Sequence, residues 1–196
     1  MSKRITPVFL CVVLLISLVC GCQIKSEKTT DNGWKTAYLD FIEEHREEYI
    51  SYALVLIDGD DIPELYLNGK NETIGDNVCA YKNEALIQRP LLRCGGGYYI
   101  EKTGQILNYN GTTGEFYTHI YMLLNDGFSL TFTACQREYL DQNEFELTHE
   151  FFVNDKPVDG IKHDATIEEN FDFSKSTPLN KNAVDYNTIK KQINNY

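Results

Sequence analysis

From residue 52 to residue 158 the chain repeats one pattern. Short runs rich in Val, Ile, Tyr and Phe are each closed by a few polar or glycine residues. An alternating run sends successive side chains to opposite faces of a strand, and turns this short leave no room for a crossover helix. Runs 52–57 and 62–67 flank Asp58-Gly59-Asp60-Asp61. Runs 78–81 and 85–88 flank Lys82-Asn83-Glu84, and 98–101 and 105–109 flank Thr103-Gly104. Runs 116–124 and 128–133 flank Asn125-Asp126-Gly127, a strong hairpin signal. Run 145–153 leads through Asn154-Asp155 into 156–158. Strands joined in sequence order by tight turns predict an antiparallel β-meander.

Helical periodicity marks two other segments. In 34–50, Trp34, Tyr38, Phe41, Ile42, His45 and Tyr49 recur at spacings of three and four, and Glu43, Glu44, Glu47 and Glu48 take the opposite face. Asp31 or Asn32 supplies the cap. Such a stripe is core packing, and His45 is read as a packing residue. The tail 185–196 sets Tyr186, Ile189 and Ile193 on one face of a short helix. The expected fold class is α+β: an N-terminal amphipathic helix packed on an antiparallel β-meander, with a short C-terminal helix. No internal repeat is visible.

The first residues follow different rules. Lys3 and Arg4 precede an apolar run, 8–20, broken only by Ser17. A bilayer span needs about 20 apolar residues, so this run has the length of a signal peptide's apolar region. It closes on Val19-Cys20-Gly21-Cys22. The sequence resembles the bacterial lipobox, with Val19 at the aliphatic position, Gly21 before the cut and Cys22 as the acceptor. Cys20 stands where Ala or Ser is usual. The resemblance implies cleavage before Cys22, diacylation of its thiol and a place on the extracytoplasmic face of a cell membrane. Two acyl chains hold a protein stably where one is marginal. The expected organisation is a signal peptide over 1–21, a lipidated Cys22 and flexible tether over 22–33, and a single α+β domain over 34–196.

Charge and cysteines narrow the function further. The formal net charge is −11, and removing Lys3 and Arg4 with the leader makes it more negative still. Nucleic acid is excluded as a natural partner, because phosphate contacts need clustered Lys and Arg. Of six cysteines, Cys11 and Cys20 leave with the leader and Cys22 is the lipid site. Cys79, Cys94 and Cys135 remain, with three alternative pairings open. No spacing suits zinc.

The most informative segment is 54–67, LVLIDGDDIPELYL. It resembles an acidic segment common in small lipoproteins and surface proteins of Gram-positive gut bacteria. It is also similar to the calcium loops of dockerin and of integrin-like repeats. Aligned on Ile62-Pro63-Glu64-Leu65, the resemblance carries Asp58, Gly59, Asp60 and Glu64 onto matching positions. It departs at Leu56, where an Asp is usual, and at Asp61, where Gly is usual. Judged as chemistry, Asp58, Asp60, Asp61 and Glu64 are candidate calcium ligands, because clustered carboxylates repel one another until a cation joins them. The alternative is a solvated structural turn.

No catalytic residue is assigned. Cys94-Gly95-Gly96-Gly97 has the form of a nucleophile beside adaptable backbone, and His119, His149 and His163 are each candidate bases, but no spacing selects one. Thirteen tyrosines suit either strands or a ligand surface. The expected function is a membrane-anchored module that binds a peptide, glycan or protein ligand. The alternatives are a small extracytoplasmic hydrolase and an inhibitor or immunity-type lipoprotein.

Overall fold

A computed structural model describes residues 32–92, 96–140 and 146–196. The leader, Cys22, the tether as far as Asp31, and Cys94 lie outside the described residues; the last tether positions, Asn32 and Gly33, instead cap and open the first helix. Among the described residues, no helix is long and apolar enough to cross a membrane.

Helix α1 spans Gly33–Glu44 and buries Trp34, Tyr38, Phe41 and Ile42. It ends a turn and a half earlier than the apolar spacing predicts. Glu43, Glu44, Glu47 and Glu48 would repel one another at helical spacing, and no basic side chain stands in the last turn to oppose the helix dipole. Tyr49 instead opens strand β1, Tyr49–Val55, opposite Gly69. His45 caps the helix, with its ring 4.4 Å from that of Phe41.

Three further strands complete a first sheet: β2 (Glu64–Gly69), β3 (Asp76–Lys82) and β4 (Ala85–Leu91), in the order β1-β2-β3-β4. The β3–β4 turn is Asn83-Glu84, both at positive φ, as a two-residue hairpin of this hand requires. The chain then builds a second sheet from β5 (Gly97–Ile100), β6 (Gln105–Thr112), β7 (Glu115–Leu124), β8 (Gly127–Leu140), β9 (Leu147–Val153) and β10 (Lys156–Val158). A short strand β11, Ser176–Pro178, returns to pair with β5 and gives the order β10-β9-β8-β7-β6-β5-β11. All pairings are antiparallel. The α+β class therefore stands, but two stacked sheets replace one continuous meander. Strand alternation explains why. Ala53, Val55, Tyr66, Val78 and Ala80 bury one face of the first sheet against Ile106, Tyr121 and Leu123 of the second.

The outer faces are covered by helices. Tyr52, Leu65, Leu67 and Cys79 pack under α1 and under α3, Tyr186–Asn195, whose Ile189 and Ile193 are fully buried. Asp185 caps α3 by accepting from the backbone N–H groups of Asn187 and Thr188. Helix α2, Gly160–Asn170, covers the second sheet through Ile167 and the adjoining Phe171. The apolar spacing does not announce α2, because only His163 and Ile167 are buried along it and Ile161 is exposed. Its signal is the cap: the Asp159 side chain accepts from Lys162 N–H at 2.8 Å. The layers run helix, sheet, sheet, helix.

Candidate functional site

The β1–β2 connection carries the acidic turn. Asp58 Oδ1 accepts from Asp60 N–H at 3.1 Å, and Asp60 Oδ1 accepts from Ile62 N–H at 2.8 Å. These two side-chain-to-backbone bonds curl the turn inward. The turn is tied to the second sheet as well. Lys102 N–H donates to Leu56 C=O at 3.0 Å, and Gly104 N–H donates to Ile57 C=O at 2.8 Å. From the helix layer, the Tyr38 hydroxyl donates to Pro63 C=O at 2.9 Å.

The curl brings Asp58, Asp60 and Glu64 together, with ligand oxygens within 4.8 Å of one another, a cluster that can hold a metal ion. Asp61 does not join it: its side chain belongs to the exposed outer edge of the turn. A residue that the spacing did not single out completes the site. Lys82, at the end of β3, donates from Nζ to both Asp58 Oδ2 and Asp60 Oδ2, and lies 4.0 Å from Glu64 Oε1. Its side chain is only 8% exposed, so the pair with Asp58 is shielded from solvent. Both aspartates together raise the Lys82 ammonium above its ordinary range against the opposing cost of burial. In sequence Lys82 reads only as one end of a hairpin turn. The β2–β3 pairing carries it across to the acidic turn.

Glu64 lies beneath this pair, 1% exposed, and its Oε2 accepts from Ile57 N–H at 2.8 Å. Burial raises its carboxyl from 4.5 to about 8, and the negative Asp58 and Asp60 push the same way. The Ile57 N–H and the more distant Lys82 act against this and lose. The site thus holds one ammonium, two aspartates and a carboxyl that keeps its proton through mildly acidic and neutral pH.

The candidate bases are scattered. His119 Nδ1 pairs with the Asn110 amide at 2.9 Å, and burial lowers its basicity. His149 Nδ1 is 3.4 Å from Glu138, and His163 Nδ1 is 2.8 Å from Asp164. Cys79 and Cys135 are free thiols in the structure, so the pairing between them is not made. Burial pushes both thiols up, away from the thiolate a nucleophile needs.

The residues define an α+β domain of two stacked antiparallel sheets between helices, with a lysine-neutralised acidic turn at one end. Comparison with protein-family models, with curated proteins and with solved structures gave no match.

The protonated Glu64 makes stability depend on pH. Its folded-state pKa is raised, so between about pH 4.5 and about 8 the folded chain holds a proton that the unfolded chain has released. Stability is therefore lost as pH rises through that window. Glu64→Gln, which keeps the shape without the titration, is expected to flatten the decline. Urea denaturation at both ends of the window checks this. The wild-type loss relative to the variant is expected to approach, at most, about 1.4 kcal/mol per pH unit. A wild type that gains on the variant as pH rises would contradict the assignment.

Proposed function

We propose that this chain is an extracytoplasmic lipoprotein, held in the membrane by diacyl Cys22, whose folded part is a non-enzymatic binding module. The leader, its length and the Val19-Cys20-Gly21-Cys22 ending support the anchor. The observation that carries the binding reading is a set of part-exposed aromatic rings that pack on one another at the surface. Tyr109 and Phe173 are stacked, with centroids 6.4 Å apart and planes 6° from parallel. Tyr98 meets both edge-on. Tyr109, Phe116 and Phe173 are 37–40% exposed. Exposed rings held rigid by one another offer apolar contact at little entropic cost, which is the composition of a recognition surface.

In this reading calcium is the divalent ion suited to the acidic turn, and it binds there in exchange for the Lys82 ammonium. Asp58 and Asp60 supply two carboxylates of the oxygen-rich shell calcium requires, and Glu64 supplies a third by giving up its proton as the ion binds. Calorimetric titration of the chain with calcium is expected to give weak binding in wild type and binding tighter by about tenfold or more in Lys82→Met. Silence in both proteins would contradict calcium binding.

The anchor has its own test. Mass spectrometry of the chain from a bacterial membrane is expected to show an N-terminal diacylated Cys22. Processing should stop in globomycin, and Cys22→Ser should abolish the lipid. An unmodified new terminus in wild type would contradict it.

A further inference from the structure

On the face of the second sheet turned away from the first, α2 packs over the strands and leaves a cleft of about 290 Å³. Register explains the lining. Tyr109 on β6 stands opposite Thr118 on β7, and Gly111 stands opposite Phe116, so these residues share the face that α2 covers. Gln136 on β8 stands opposite Phe116 and continues that face, and its Nε2 donates to Glu138 Oε1 at 2.8 Å, leaving its carbonyl oxygen to the cleft. Gly111 has no room for a side chain: an added Cβ would lie 2.5 Å from Glu115 O and 3.0 Å from the Phe116 ring. The Phe116 ring therefore lies over bare backbone, leaving space between itself and Tyr109. The α2 wall brings buried His163, whose Nδ1 meets Asp164 at 2.8 Å, and the exposed Asp164 carboxylate.

The chemistry of this lining is specific. Two part-exposed rings offer flat apolar faces, while Thr118, Gln136 and Asp164 offer a hydroxyl, an amide and a carboxylate on the same floor and wall. Among the described residues no Lys or Arg lines the cleft, so none of them offers an anionic ligand a counter-charge there. An extended peptide would need unpaired main-chain groups. Here β7 at Phe116–Thr118 and β8 at Gln136 are paired on both sides, and β6 is paired with β5 as far as Asn108. A sugar ring meets both demands at once, with C–H faces for the rings and hydroxyls for the polar groups.

We propose that this cleft, between Tyr109 and Phe116 on the sheet and Asp164 on α2, is a subsite that seats a neutral pyranose ring of a glycan. The inference rests on the binding-module reading and names the ligand class of its aromatic surface. Asp164 accepts a hydroxyl pair, Gln136 and Thr118 meet the ring's edge, and Phe116 stacks on its C–H face. The near-lying acid leaves its mark on Tyr109, whose phenol is raised chiefly by burial, with Tyr98 and Asp164 adding to it.

The test uses the full chain in a detergent without a sugar headgroup. Saturation-transfer NMR and calorimetry are run with neutral tetrasaccharides of β-glucan, chitin and mannan, and with an acidic hyaluronan tetrasaccharide. At least one neutral glycan is expected to bind. Phe116→Ala and Asp164→Asn are each expected to weaken it by about tenfold, with the fold intact by circular dichroism. Tyr109→Phe keeps the ring face and is expected to bind nearly as wild type, and Leu130→Ala, exposed elsewhere on β8, is expected to change nothing. No neutral binding by folded wild type, a preference for hyaluronan, or indifference to Phe116→Ala would overturn the proposal. If a peptide library binds where the glycans fail, the glycan inference falls and the binding module survives. A failure at Cys22 would remove the anchor and leave this cleft untouched.

Discussion

The Lys82 ammonium stands between Asp58 and Asp60 at the place where three layers of the fold meet. The acidic turn joins β1 to β2, is hydrogen-bonded to the β5–β6 turn of the other sheet, and is held from above by the Tyr38 hydroxyl. Two carboxylates packed this closely, over the buried Glu64 carboxyl, would open the turn if left alone. Lys82 supplies the opposing charge from β3, so the pairing of β3 with β2 and the closure of the turn depend on each other. The neighbouring Asn83 extends the same tie, donating to Asn125 C=O of the second sheet at 2.9 Å. A charge pair this shielded is strong evidence for mutual dependence and weaker evidence for net stability, because both partners were first desolvated.

The outer face of the second sheet is covered more sparsely than its inner one. Helix α2 lies on the face turned away from the first sheet, where Ile167 packs with Leu107, Ile120, Phe132 and Ala134. A helix fixed by Ile167, His163 and a cap covers only part of a sheet in which β8 alone runs for 14 residues. Tyr109 and Phe116 lie on that same face and stay part-exposed, and the proposed recognition surface follows from this sparse cover.

Much of this was legible in the sequence where pattern is local. The hairpins around Lys82-Asn83-Glu84 and Asn125-Asp126-Gly127 lie where alternation and turn chemistry place them. The C-terminal helix follows from Asp185, Ile189 and Ile193. Besides α2, three further things were not legible, each for a physical reason. The end of α1 was decided by glutamate repulsion and by the pull of Tyr49 into a strand, which periodicity does not weigh. The division into two sheets depends on which faces of distant strands bury each other, as Val55 and Tyr121 do. The acidic cluster was visible as Asp58, Asp60 and Glu64, but its partner was not, because Lys82 is 24 residues from Asp58 and arrives only through strand pairing.

A double-mutant cycle shows whether Lys82 and the acidic turn act as a unit. Lys82→Met, the pair Asp58→Asn with Asp60→Asn, and the combination of all three are compared by urea denaturation at neutral pH. A coupling of about 1–3 kcal/mol is expected, with the combined variant recovering much of what Lys82→Met alone loses. A coupling within about 0.5 kcal/mol of zero would mean that the ammonium and the carboxylates stabilise the fold independently, and the mutual dependence would fall.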